Sequence, residues 1–407
     1  MTLDLGRLSA EIRAMGDHLV ASRGLLDARI AAARDLLATA DRARLAEAAA
    51  AKRGAAVPVE ELTTRVGAAD LPDGYQVLAT DGSDIEPDRH GPALCYVLNL
   101  GWAVIEYGAT PHAALGSAPE LYYRPEDLYV RHGNQQAPIQ GSRLGAKRAV
   151  AEMQRLAALC AAGDRDWGIG DRGNIGDENG FSTPHPLAPI PERVALSDGL
   201  LLLGNYWEGP EGFVRDYFVG QFKAALEELR ALDVPVAAYI SRPRGADVVG
   251  LLRLDPRHQQ ACAWCAGRGT NRADCALEGL ADRLLFPDLA PGERSPLFES
   301  RTLAQHYPPE LLPRFFYVNV GREIARVELP VWAAERPELV ARVQAVVVDQ
   351  CRRGQGYPVA LARAHEQAVI GGVERQRFEE LVARALVARG LPDHPSEKQA
   401  SKLARAV

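Results

Sequence analysis

Three carboxylates stand where chemistry is commonly done. Asp81 follows the apolar run Gln76-Val77-Leu78-Ala79-Thr80 and precedes Gly82-Ser83. Asp198 follows Arg193-Val194-Ala195-Leu196-Ser197 and precedes Gly199. Each reads as an acid at the C-terminal end of a short strand, the edge at which open α/β sheets bind ligands. Asp-Gly is also among the commonest turn dipeptides, so either one alone is more readily a turn. Glu152 is the third. At about 100° per residue through 141–162, Ala146, Val150, Met153, Ala157 and Cys160 share one side of a helix, and Ala149, Leu156 and Leu159 widen the arc. Glu152 is the only charge inside that arc, and a carboxylate facing a core must be paired or bind metal. A salt bridge to Arg148 or Arg155, one turn away, is one solution. The other is a cation shared with the two aspartates, since three converging carboxylates repel unless neutralised. Oxygen donors suit Mg²⁺ or Mn²⁺. Two such ions can activate a water and stabilise the leaving oxygen of a phosphodiester.

A second constellation is His258-x3-Cys262-x2-Cys265-x9-Cys275. Cys-x2-Cys is a knuckle that brings two thiolates to one ion, and structural Zn²⁺ is its usual occupant. The second ligand pair does not have a standard finger spacing. Reduced thiols and a disulfide therefore stay open, and an iron–sulfur cluster would need a fourth cysteine. Cys95 and Cys160 read as core.

Around these residues the chain changes texture several times. Residues 1 to about 55 read as helix, with Leu19, Leu26, Ile30 and Leu37 at helical spacing, either a packed pair or an arm for a partner. Residues 93–100 and 102–107 read as two strands, or one bent strand, separated by Gly101. The Gly/Pro/Asp-rich stretch 164–191 reads as a loop of functional length. Residues 213–232 read as a helix and 234–241 as a strand. The segment 255–300 reads as irregular, with little apolar material of its own. A hairpin over 315–329 turns at Gly321, and helices follow at 337–353 and 359–388. The predicted organisation is an N-terminal helical region (1–60), a catalytic domain (70–390) carrying the insertion 255–300, and a tail (391–407). No internal repeat is visible.

The length of 407 residues and the 47% hydrophobic, 25% charged composition are those of a folded globular chain, not a disordered or collagen-like one. No apolar run is long enough to span a bilayer, and the N-terminus lacks a signal pattern. A cytoplasmic protein with no membrane association is expected. Forty-seven basic against 53 acidic residues give a net charge of -6, which excludes a basic nucleic-acid coat but not a local basic groove.

Strand with Asp81, two strands, helix with Glu152, strand with Asp198, helix, strand: this is the element order of the ribonuclease H-like fold. The predicted class is therefore α/β, a mixed sheet flanked by helices, with N- and C-terminal helical additions. On its motifs the chain resembles the NurA nucleases, partners of the HerA translocase in DNA end processing. The resemblance runs over about 75–385. It is carried by Asp81-Gly82-Ser83-Asp84-Ile85-Glu86-Pro87-Asp88-Arg89-His90, by Asn99-x-Gly101 in a Tyr-rich strand, and by Ser197-Asp198-Gly199. Ala238-Tyr239-Ile240-Ser241-Arg242-Pro243, the hairpin Phe316–Val320 with Ala325-Arg326-Val327-Glu328, and Tyr357-Pro358 with Ala364-His365 complete it.

The resemblance implies a homodimer acting on DNA and a HerA-like hexameric ATPase as partner. It also implies Mn²⁺-dependent (or Mg²⁺-dependent) 5′-to-3′ exonuclease and single-strand endonuclease activity. By motif, Asp81, Glu152 and Asp198 would hold metal, with Glu120, Glu126 and Asp127 as competitors of Glu152. Tyr357 and His365 would complete the site. If a helix begins near Tyr357, their eight-residue spacing puts them on one side. His365 could then handle a proton or contact phosphate, and Tyr357 could hydrogen-bond phosphate or stack on a base. A helix-capping tyrosine and a core histidine are the structural alternatives. Arg242, Arg244 and Arg326 are candidate phosphate contacts or solvated surface arginines. No G-x-x-x-x-G-K-[ST] loop is present, so energy for translocation would come from another chain. The competing readings are a DNA-end-binding adaptor without catalysis and an unrelated phosphohydrolase.

Overall fold

The computed structural model describes residues 4–50, 52, 55–88, 93–162, 192–204 and 211–391. Arg89 and His90 of the first motif, the stretch 164–191 and the tail beyond 391 lie outside the described residues. The chain folds as two compact units. One is formed by 1–68, 240–304 and 312–328, the other by 69–239, 305–311 and the chain from 329 onward. In chain order the elements are α1 (Leu5–Thr39), α2 (Arg42–Ala50), β1 (Val57–Pro58), β2 (Tyr75–Ile85), β3 (Tyr96–Tyr107), β4 (His112–Tyr122), α3 (Pro125–Leu128), β5 (Tyr129–His132), β6 (Gln135–Pro138), α4 (Ser142–Ala161) and β7 (Glu192–Asp198). They continue with α5 (Gly212–Ala231), β8 (Val236–Ile240), α6 (Asp247–Leu252), α7 (Pro256–Ala261), β9 (Phe298–Glu299), β10 (Pro313–Asn319), β11 (Ile324–Pro330), α8 (Val331–Ala334), α9 (Pro337–Arg353), α10 (Val359–Ala368) and α11 (Gly372–Val387). Among the described residues no helix is long and apolar enough to cross a membrane.

The second unit contains the strand order β8-β7-β2-β3-β4. β2, β3 and β4 form an antiparallel meander, and β2, β7 and β8 run parallel. This is the α/β arrangement, a mixed sheet flanked by helices, that the element order predicts. α4 buries the face expected of it, including Ala146, Val150, Met153, Leu156, Ala157, Leu159 and Cys160.

Three expectations change in detail. Asp81 is not at a strand end: β2 continues to Ile85, held by β3 through the Ile85–Val97 pair. The runs either side of Gly101 are one strand, and the second strand of the meander is β4. Its Ala-, Gly- and Ser-containing sequence has little strand propensity, and its side chains are mostly exposed. The C-terminal helix is two helices, because the chain leaves α10 at Val369 (φ -53°, ψ 129°) and re-enters a helix after Gly371.

Gly101 does not break β3; it lets α10 approach. A Cβ there would lie 2.3 Å from both the Ala364 carbonyl oxygen and the Ala368 nitrogen. Backbone cannot move aside as a flexible side chain can. Gly101→Ala is therefore expected to cost about 3 kcal/mol, read as a melting temperature lowered by roughly 5–10 °C. An alanine variant that melts with the wild type would refute this packing.

The first unit buries Leu37, Leu45 and Ala49 of the N-terminal helices against Val248, Leu252, Leu285, Phe286, Phe298, Phe315 and Tyr317. Of the repeat at helical spacing, Ile30 and Leu37 pack into this core, while Leu19 and Leu26 are exposed. The segment 255–300 is irregular apart from α7, β9 and short 3₁₀ turns. It is not poor in core material, however: Cys262, Cys275, Leu277, Leu280, Leu285, Phe286 and Leu289 all belong to the buried cluster.

Candidate active site

Strand register brings the two aspartates together. Thr80 pairs with Ser197, so one step further Asp81 and Asp198 stand side by side, where β7 ends and β2 runs on. Asp81 lies opposite Gly101, and paired residues share a face, so its side chain points to the side on which α10 packs. There His365, in the last turn of α10, places Nδ1 2.6 Å from Asp81 Oδ2. The Gly82 N–H donates to the other oxygen, Oδ1, at 2.8 Å.

The motif around Asn99 explains how α10 is held. Asn99 Nδ2 donates to the carbonyls of Gln367 (3.1 Å) and Ala368 (2.8 Å), and Ser83 Oγ also donates to the Ala368 carbonyl. These carbonyls end a helix and lack intrahelical partners. Asn99, Ser83 and the bare Gly101 together fix where His365 sits.

Tyr357 precedes α10 rather than starting it, with Pro358 as the N-cap. It still reaches the site. Its hydroxyl donates to Asp198, and its ring packs edge-on to Tyr239 at 5.5 Å between centroids. Burial first, then Asp198 and Asp81, push the Tyr357 hydroxyl well above its ordinary range, so it stays protonated and acts as a donor. Asp198 is itself raised, first by burial and also by Asp81, against the lowering effects of Tyr357, the Gly199 N–H and His365.

Glu152 arrives from the opposite face. Its backbone carbonyl accepts from Thr80 Oγ1 at 3.0 Å, and its carboxylate lies over Gly82, where a Cβ would come within 2.7 Å of Oε1. Gly82 is thus a clearance for the acid on α4, not a turn. Arg148 bridges Glu152 (3.3 Å) and Asp84 (2.8 Å), so the salt bridge to Arg148 does form. It does not neutralise the cluster. Burial, the largest cause, raises Glu152 to about 8; Arg148 opposes this, and Asp81, Asp198 and Asp84 add to it. Arg148 meets two of the four acids, Glu152 and Asp84, and the donor atoms of all four are oxygen. That set fits a hard divalent cation, which would relieve the repulsion. Among the described residues, the group of three or more possible ligand atoms within 4.8 Å of one another is the histidine–cysteine cluster, not the carboxylates. Approach from two faces of the sheet accounts for the wider spacing of the acids.

Asp84 and Arg148 escaped the sequence reading as site residues. Had β2 been followed past Asp81, alternation would have put Asp84 on the face of Gly82 and α4. The competitors of Glu152 have local roles. Glu120 accepts from the Tyr122 hydroxyl, Asp127 caps α3 by accepting from the Arg124 N–H, and Glu126 is exposed in the first turn of α3.

The candidate phosphate-binding arginines all lie in the first unit. Arg326 is buried, paired with Glu328 and Asp247 and stacked 3.6 Å from the Phe315 ring centroid, which removes it from the candidates. Arg242 is exposed and 3.7 Å from Glu323, and Arg244 is exposed. His258, Cys262, Cys265 and Cys275 converge in the same unit.

A NurA domain matches residues 75–370, more than half of the chain. The chain belongs to the NurA family. The match begins at Tyr75, the first residue of β2, and ends just past α10, so this NurA domain holds every carboxylate described above together with Tyr357 and His365. The crystal structure of the NurA nuclease from Sulfolobus solfataricus is similar at 13% sequence identity, covering 93% of this chain and 98% of that one with a TM-score of 0.45. The Thermus thermophilus RuvC structure is similar at 14% identity over 52% of this chain and 92% of that one, with a TM-score of 0.16. No curated protein matches in sequence. Membership of the NurA family supports a nuclease.

Proposed function

We propose that this protein is a divalent-metal-dependent deoxyribonuclease of DNA end processing, with 5′-to-3′ exonuclease and single-strand endonuclease activity, working in the cytoplasm. The observation that carries the reading is the junction of Asp81 and Asp198 under His365 and Tyr357, with Glu152 held at a raised pKa beside them. Mn²⁺ or Mg²⁺ bound at these carboxylates would supply Lewis acidity toward the scissile phosphodiester. The residues themselves orient and move protons. Asp81 accepts from His365 Nδ1–H, which turns Nε2 outward to exchange a proton with water or the leaving oxygen. The side chain is 66% exposed, as contact with DNA requires. Tyr357 fixes Asp198 and keeps its proton. The reading is tested by degradation of end-labelled DNA with Mn²⁺ against EDTA.

His365→Ala is expected to lower the single-turnover cleavage rate about a hundredfold with little change in DNA affinity. Tyr357→Phe, which frees Asp198 of its donor but keeps the ring, should cost about tenfold. Loss of binding at an unchanged single-turnover rate would make both contact groups only.

We also propose a homodimer and a HerA-like hexameric ATPase as partner, supported by membership of the NurA family. The isolated protein is then expected to degrade duplex DNA weakly, and the ATPase with ATP to accelerate it strongly. Failure of the two to co-purify, or full duplex degradation by this chain alone, would refute the partnership.

A further inference from the structure

The first unit carries a cluster that nuclease chemistry does not use. His258 lies on α7, Cys262 caps its end, Cys265 follows in the knuckle, and Cys275 comes after a short 3₁₀ turn. His258 Nε2 is 3.3 Å from Cys265 Sγ and 3.6 Å from Cys275 Sγ, and those two sulfurs are 3.6 Å apart. All four ligand atoms lie within 4.8 Å of one another. A tetrahedral zinc with ordinary bond lengths sets its ligands about 3.6 Å apart for nitrogen to sulfur and about 3.8 Å for sulfur to sulfur. Four side chains from 18 residues of sequence converge, and the separations among His258, Cys265 and Cys275 fall at or just under that spacing. We propose that they form a closed structural Zn²⁺ site, and that the ion holds the segment 262–278 in place beneath the N-terminal helices.

The surroundings fit thiolates rather than spare thiols. The Cys265 N–H points at Cys262 Sγ (3.5 Å) and the Leu277 N–H at Cys275 Sγ (3.4 Å), the pattern by which backbone amides stabilise anionic sulfur. Three soft donors and one imidazole in a tetrahedron select zinc over the hard cations suited to the carboxylates of the other unit. An iron–sulfur cluster interposes several atoms between its ligands and would hold them further apart. All four protein ligands close the coordination shell, so the site is structural, with no position left for a substrate.

The segment has reason to need an ion. Between Cys262 and Leu277 it has one 3₁₀ turn and no strand. Yet it must present Cys262, Cys275 and Leu277 to the core that receives Leu37 and Leu45. Arg29 of α1 donates to the carbonyls of Ala273 (2.9 Å) and Glu278 (3.1 Å), so the docking of α1 depends directly on the shape of this loop. Ligation would supply the folding free energy that regular structure does not.

The test uses the full-length protein. Elemental analysis after growth with zinc should find one zinc per chain, and the Co²⁺-substituted protein should show the visible absorption of a tetrahedral thiolate site. Treating the wild type with a zinc chelator should release the ion, free three reactive thiols and expose α1 to limited proteolysis. The Cys262→Ser/Cys265→Ser double variant should lose both zinc and the cobalt spectrum. Zinc far below one per chain, iron in its place, full zinc retention in the double variant, or chelation that leaves melting and proteolysis unchanged would each overturn the proposal. None of these results depends on nuclease activity, so the zinc site and the nuclease reading stand or fall separately.

Discussion

Asp81→Asn is expected to lower DNA cleavage by on the order of a hundredfold or more, with a melting temperature within about 2 °C of the wild type. The two halves of this result have separate causes. The amide oxygen of Asn can still accept from the Gly82 N–H, and the side chain still fits between β2 and α10, so the fold loses little. What disappears is one negative charge beside Asp198 and Glu152, where the proposed cation would be held, together with the oxygen that accepts from His365 Nδ1–H. Asp198→Asn should behave alike, because its remaining oxygen can still take the Tyr357 hydroxyl. Paired measurement of Mn²⁺-dependent cleavage and thermal melting checks both. Full activity in either variant would sink the shared-cation account, and unfolding would show that the acids are structural.

Glu152→Gln separates stability from function in the opposite direction. In the unfolded chain this carboxyl titrates in the ordinary range, near 4.5; in the fold it titrates at about 8. Between those values the folded state keeps a proton that the unfolded state releases. The group therefore costs nothing in acid, and its cost grows as pH rises through this window. The slope is up to about 1.4 kcal/mol per pH unit, levelling off above the folded value. Gln cannot ionise and has no such cost. In EDTA, Glu152→Gln should match the wild type near pH 5 and be more stable by a few kcal/mol near pH 8.5, while cleaving no DNA. Mn²⁺ should close the gap by stabilising the wild type alone, more at pH 8 than at pH 6, since binding displaces the proton. Chemical denaturation across pH, with and without Mn²⁺, measures this. A parallel pH dependence of the two proteins in EDTA would mean that Glu152 carries no such burden.

Much of this site was visible in the sequence, for physical reasons that differ by residue. Glu152 stood out because one charge in an apolar arc is costly, and its helix carries the burial that the periodicity predicts. Asp198 was legible as a strand-end acid because β7 does end there. Asp81 was found for a partly mistaken reason. It reads as the acid that ends a strand, whereas β2 runs on to Ile85 and Gly82 gives room to Glu152 from the other face. That misreading hid Asp84 and with it the Arg148 bridge. His365 and Tyr357 could not be derived from local pattern, since they meet the aspartates across more than 150 residues of chain; only the motif resemblance pointed to them. Gly101 looked like a strand break, because a close approach of backbone to backbone leaves the same signature as a bend. β4 was missed because an exposed edge strand needs no apolar alternation.

The proposed activity is hydrolysis of DNA by water, assisted by a divalent cation held at Asp81, Asp198 and Glu152. The most direct measurement follows end-labelled single- and double-stranded DNA with the purified protein in Mn²⁺, in Mg²⁺ and in EDTA, with the Asp81→Asn protein alongside. Cleavage by the wild type is expected with a divalent cation, with none in EDTA and at most a trace with Asp81→Asn. Undiminished cleavage in EDTA would contradict it, and so would DNA that is bound at its ends but left intact under every metal condition, the behaviour of an adaptor.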